Sequence, residues 1–245
     1  QNTTGSQNTA IGRGALDSNT TADNCTGVGY YALENNSTGI DNTAVGAYAG
    51  TNLSTGQENV ALGKSALHDC TDGDKNVAVG LNALFAVTTG NYNVAVGANA
   101  GDSITTGVRN TVCGNGSLAA LTTGQDNTAM GSGALTANTA DNNTAVGSNC
   151  LAANTTGTGC VAVGHDVMEG SNADYNTGVG SGVMGESSGN AITGNYNVVM
   201  GALAGYNASG VFNANTLIGY RAGFGATTAS GSVIIGYQAG DNITT

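Results

Sequence analysis

The chain has 245 residues, of which 9% are charged, 41 are Gly and none is Pro or Trp. An average domain has roughly 25% charged residues and about 5% Pro, so this composition argues against a Rossmann fold, a TIM barrel or a helical bundle, while 40% hydrophobic residues argue against disorder. A net charge of −11 with five basic residues speaks against nucleic acid and anionic membrane as partners, and no apolar run is long enough to span a bilayer.

The predicted elements start with Asn8-Thr9-Ala10-Ile11-Gly12, and this pattern returns along the whole chain. Its glycines stand at Gly12, Gly29, Gly46, Gly63, Gly80, Gly97, Gly114, Gly131, Gly147, Gly164, Gly180, Gly201, Gly219 and Gly236. The spacing is 17 residues up to Gly131 and stays near that value beyond it, apart from one interval of 21. Fourteen copies of a 17-residue unit are the mark of a solenoid.

Each copy places Thr or Val three residues before the glycine, a small or apolar residue two before, and an aliphatic, Met or Cys one before. This is a short β segment rich in β-branched residues. Adjacent positions are both apolar, so both faces are expected to be buried, one inside the coil and the other under a second cover. Four before the glycine stands Asn in eleven copies, replaced by Cys25, Cys160 and Ser232. Asn42, Asn59, Asn76 and Asn93 are expected to form an amide ladder along the axis. Gly46, Gly63, Gly80 and Gly97 are expected at a bend that needs positive φ or close backbone approach. Ala follows three residues later in ten copies, and [Ser/Thr]-Thr-Gly turns such as Thr88-Thr89-Gly90 close the unit. The absence of Pro fits coils that need every backbone N–H for pairing.

The expected fold is all-β: a parallel β-solenoid (β-roll or β-helix) of fourteen coils, on the order of 65–70 Å long at about 4.8 Å per coil. Its thin Ala core and second apolar face favour a homotrimer over a lone or end-stacked rod. The array is regular over residues 1–170 and becomes irregular and aromatic-richer over 171–245, with an insertion at Glu186-Ser187-Ser188-Gly189. The chain starts at Gln1 with no signal-peptide pattern, and both ends fall within a repeat, which reads as a segment of a longer protein.

Asn42-Thr43-Ala44-Val45-Gly46 followed by Ala49, and Asn76-Val77-Ala78-Val79-Gly80 followed by Ala83-Leu84, resemble the head repeats of YadA-type trimeric autotransporter adhesins. They are also similar to the arrays of phage tail fibres and surface proteins that end in an endosialidase-type intramolecular chaperone. The repeat here is longer than the adhesin unit. The resemblance covers nearly the whole chain and implies a trimeric extracellular or virion-surface fibre, a stalk or a receptor-binding head.

Chemistry is sparse. Gly180-Ser181-Gly182-Val183-Met184-Gly185 matches GxGxxG, but Gly180 is the repeat glycine, so no cofactor is expected. His68-Asp69-Cys70 reads as turn decoration rather than a catalytic set. Asp23, Asp41, Glu58, Asp74, Asp126, Asp141 and Asp174 collect before the strand. They read as solvated turn residues rather than a Ca²⁺ row, and no metal is expected. Five cysteines without a CxxC pair read as small buried hydrophobes. Sequons at Asn19, Asn36, Asn52 and Asn154, with Asn2 and Asn242, raise the prospect of an N-glycan row. Tyr206, Tyr220 and Tyr237 are candidate glycan contacts.

The function expected is non-enzymatic: a fibre segment, shaft or head, that presents a binding surface to host or cell-surface glycans. The alternatives are a self-assembling extracellular filament and an ice-binding solenoid, the latter motivated by eight Thr in the Thr/Val column.

Overall fold

In the computed structural model, the described residues are 2–185, 194–208, 213–227 and 230–243. The insertion at Glu186–Gly189 and the aromatic Phe212 lie outside them. Among these residues the fold is all-β, a parallel β-solenoid of fourteen short strands with no helix. It separates into two compact units, Gln1–Asp126 and Asn127–Thr245.

The first unit carries β1 (Thr9–Ile11), β2 (Thr26–Val28), β3 (Thr43–Val45), β4 (Val60–Leu62), β5 (Val77–Val79), β6 (Val94–Val96) and β7 (Thr111–Cys113). Each pairs in parallel with the next, column on column: Ala44 faces Ala61, and Ala61 faces Ala78. The second unit carries β8 (Thr128–Met130), β9 (Thr144–Val146), β10 (Val161–His165), β11 (Thr177–Ser181), β12 (Val198–Met200), β13 (Thr216–Ile218) and β14 (Val233–Ile235), paired in the same way. The insertion and the 18-residue interval therefore leave the strand register intact.

The repeat glycine turns the chain immediately after the strand. Gly46 has φ +139, and a Cβ there would lie 2.5 Å from the carbonyl oxygen of Gly63 in the next coil. No side chain fits that approach. Two further corners per coil use the left-handed region with ordinary residues, such as Tyr48 (φ 60) and Asp41 (φ 58). These corners turn the chain while keeping its amides aimed along the axis: Gly46 N–H donates to Val28, Tyr48 N–H to Tyr30 and Asp41 N–H to Asp23.

Leucine occupies a third left-handed site, at Leu33, Leu67, Leu84 and Leu118 among others. That conformation costs an L-residue about 1–2 kcal/mol. Full burial of a Leu side chain returns about 1.5–3 kcal/mol, and these side chains are completely buried. Burial thus offsets the backbone cost. Where glycine takes this site, a neighbour fills the space. A Cβ at Gly50 would meet Leu53 and Leu33, and one at Gly101 would meet Ile104 and Leu84. The core conserves volume from coil to coil although its letters change.

Candidate functional site

The Asn column lies inside from Asn42 to Asn215, while Asn8 in the first coil is half-buried. Asn59 N–H and its Nδ2 both donate to Asn42 Oδ1, at 3.0 and 3.2 Å, and Nδ2 also donates to Gly73 O at 2.8 Å. Asn76 and Asn93 repeat this geometry. The cysteine substitutes keep one part of it. Cys25 Sγ donates to Gly39 O at 3.2 Å, and Cys160 Sγ to Ala173 O at 3.0 Å.

A thiol cannot replace the amide oxygen, and beside Cys25 a second asparagine does so. Asn36 Nδ2 donates to Gly39 O at 2.9 Å, while its Oδ1 accepts from Asn42 Nδ2 at 3.3 Å. Asn36 is completely buried, as are Asn19 and Asn154. Asn154 exchanges hydrogen bonds with Gly157. The expectation of glycans on these three sequons is therefore corrected: their amides are core acceptors and donors without room for a sugar. Asn52 is half-buried and bonded to Asn35 and Asp69.

The acidic turn residues are also partly structural. Asp74 Oδ1 accepts the Gln57 N–H at 2.8 Å and Asp174 Oδ1 the Thr158 N–H at 2.9 Å, each in the preceding coil. Asp23 takes both the N–H and the hydroxyl of Ser6, which hold its carboxyl below the usual range. Arg109 grips Asp126 with two bonds of 2.7 and 2.8 Å. Among the described residues no three His, Cys, Asp or Glu side chains gather as a metal-holding group.

His68 Nδ1 contacts Asp69 Oδ1 at 2.7 Å, and its ring stacks on Phe85. Cys70 instead points inward to Gly73 O, and burial pushes its thiol up to about 12. A thiol so protonated is the reverse of an activated nucleophile. Gly180 of the GxGxxG match lies on β11, and Gly182 lies in the turn after it. No helix occurs among the described residues, and none is long and apolar enough to cross a membrane.

What the chain offers to other molecules is its outer surface. The second residue of each strand from β2 to β14 points in, whereas its two neighbours point out. In the first unit Ile11, Val45, Leu62 and Val96 are exposed, Val45 by 40%. The second unit repeats this with Met130, Met200, Ile218 and Ile235. The second apolar face expected from the repeat thus lies open on each unit. Cys113 stands in this column and is exposed, which corrects the expectation that it is buried. Cys25, Cys70, Cys150 and Cys160 are buried, and burial raises each thiol.

Aromatics form short stacks on successive coils. Tyr220 and Tyr237 lie parallel at 5.4 Å, with Tyr237 73% exposed. Tyr206 stacks on Phe224 and is half-buried. Sequence reading did not single out Tyr175 and Tyr196, exposed and stacked at 5.4 Å, or the cluster of Tyr30, Tyr31 and Tyr48 beside Arg13. The signal was the recurrence of Tyr at a shared phase in neighbouring repeats, five before the glycine for Tyr175 and Tyr196 and two after it for Tyr31 and Tyr48. No family model, no curated protein and no solved structure matches this chain.

Proposed function

We propose that this chain is a non-enzymatic extracellular fibre segment. Its copies associate side by side through the strand face, as a homotrimer, and its outer aromatics form a binding surface for host or cell-surface glycans. The observation that carries this reading is the open aliphatic column. Within residues 9–113 the column rises over seven strands. At about 4.8 Å per strand and about 10 Å width it covers on the order of 300 Å². A patch of that size matches the largest one on a typical monomer, which is often functional, and here it is a row of aliphatic side chains in strand register. Its residues carry no charge, and the likeness of Asn42–Gly46 to trimeric adhesin heads supports threefold closure. The stacked Tyr220 and Tyr237 support sugar contact, since parallel ring faces suit the apolar side of a pyranose.

The test is solution mass by light scattering. A mass of three chains of 23.9 kDa is expected, with Leu62→Lys shifting it towards one chain while the circular dichroism spectrum is kept. A monomeric wild-type chain at tens of micromolar overturns the assembly. Loss of glycan-array signal in Tyr220→Ala or Tyr237→Ala tests the binding surface.

One observation favours a second reading. Thr9, Thr26 and Thr43 stand in register on the open face beside Ile11, Val28 and Val45. A flat face of that kind is also what an ice-binding solenoid presents. Thermal hysteresis from a monomeric chain would select it over the fibre.

A further inference from the structure

The stack of His68 on Phe85 ends abruptly. The two rings lie 4.9 Å apart and nearly parallel. One coil further, the same column holds Asp102, and after it Ala119. The step from a ring to smaller residues leaves a recess of about 420 Å³ lined by Asn82, Phe85, Ala86, Asp102 and Ser103. That volume is within the range of small-molecule sites, about 300–1,000 Å³. None of the five residues lies on a strand, so the recess is separate from the open aliphatic column.

The lining has one sign. Asp102 Oδ1 is shielded from solvent and has no hydrogen-bond partner. Burial raises the Asp102 carboxyl above its usual range, against the pull of its own and the Ser103 N–H groups and the Ser103 hydroxyl. Asn82 spends one of its two amide N–H groups on Asn99 Oδ1 at 3.1 Å and adds a neutral polar edge to the lining. No Lys or Arg lines the recess. His68 covers one face of the Phe85 ring, and the ring presents what that stack leaves open.

The half-buried Asp102 carboxyl borders the recess, and a cationic donor seated there offsets the cost of its partly desolvated charge. An anion is repelled by Asp102 and by a chain of net charge −11. A neutral polyol gains nothing from the charge of the Asp102 carboxylate, whereas a cation does. An ammonium supplies three N–H donors and a positive charge. It also gains from an aromatic face. We infer that the recess between Phe85 and Asp102 binds the primary ammonium of a small organic ligand, as carried by an amino sugar or a lysine side chain. This inference does not depend on the fibre reading.

The test uses the full chain and three probes: glucosamine, Nα-acetyl-lysine methylamide and the uncharged N-acetylglucosamine. Binding is followed by calorimetry and by the Ser103 amide shift in NMR. Glucosamine and the lysine derivative are expected to saturate the site, and N-acetylglucosamine is not. Whichever of the two cations binds more tightly identifies the source, amino sugar or protein lysine. Asp102→Asn is expected to weaken binding by about tenfold or more, and Phe85→Leu by a few-fold. If Asp102→Asn melts at a lower temperature, Phe85→Leu and the charged-against-uncharged pair decide. Equal binding of N-acetylglucosamine, absence of saturation by either cation, or unchanged affinity in a folded Asp102→Asn chain would overturn the proposal.

Discussion

At the residue scale, the repeat glycine is the position with the least freedom. Gly63 has φ +136, and an added Cβ would run into the backbone of Gly80. The strain is twofold: a conformation L-residues avoid, and a clash with main chain that cannot swing aside. Each alone costs of order 1–3 kcal/mol. Gly63→Ala is therefore expected to destabilise the chain by about 3 kcal/mol or more, read from urea unfolding. Gly116 is the control, since a Cβ there meets nothing within 4 Å. Its φ of +60 still strains alanine, so Gly116→Ala should cost about 1 kcal/mol. Equal costs at the two positions would mean that inter-coil approach does not fix the glycine.

At the element scale, one coil is a closed set of compensations. Cys25 takes an Asn place but offers only a weak donor. Asn36 supplies the missing acceptor to Asn42 and a second donor to Gly39 O. Asn36→Leu should cost about 2 kcal/mol, because it leaves one buried N–H of the Asn42 amide without an acceptor while the other stays on Gly56 O. In a Cys25→Asn background the ladder amide is present and the same change should cost less than half as much. The two sites should thus show a coupling of about 1–2 kcal/mol in a double-mutant cycle. Additive effects would show that the two side chains do not share one network.

This coil also separates what was legible from what was not. The period, the strand, the inward Ala and the Asn and Gly columns follow from residue type at fixed phase. So does the parallel solenoid, because a 17-residue unit cannot bury its own face without a neighbour. The burial of Asn19, Asn36 and Asn154 was not legible. Their column holds Leu53, Cys70 and Val87 in other coils, and polar residues there are explained by contacts the letters do not show: Asn36 with the ladder residue Asn42, and Asn19 and Asn154 with the backbone three residues on. The exposure of Cys113 was hidden for a different reason. An apolar column can face the core or the outside, and alternation over three residues does not say which. The Asp102 recess was illegible because it depends on a step between two coils.

At the scale of the molecule, the open aliphatic column is the feature that most needs a physical account. Burying it among several copies removes apolar surface from water at about 25 cal/mol per Å². A closed arrangement would also stop further growth, whereas an open one would build filaments. Cys113 stands in this column and is a reporter that needs no added label. Of the five free thiols it is the exposed one, while Cys70, its thiol pushed up to about 12, stays protonated and buried. Ellman's reagent should modify one thiol per chain at concentrations low enough to dissociate the assembly. Modification should slow by about tenfold or more once the chains associate, and Leu62→Lys should restore the fast rate. A Cys113 rate that is independent of concentration, in a chain that light scattering shows to be oligomeric, would place the seam on another face. The aliphatic column would then remain open in the assembly, and the ice-binding reading would gain the surface it needs.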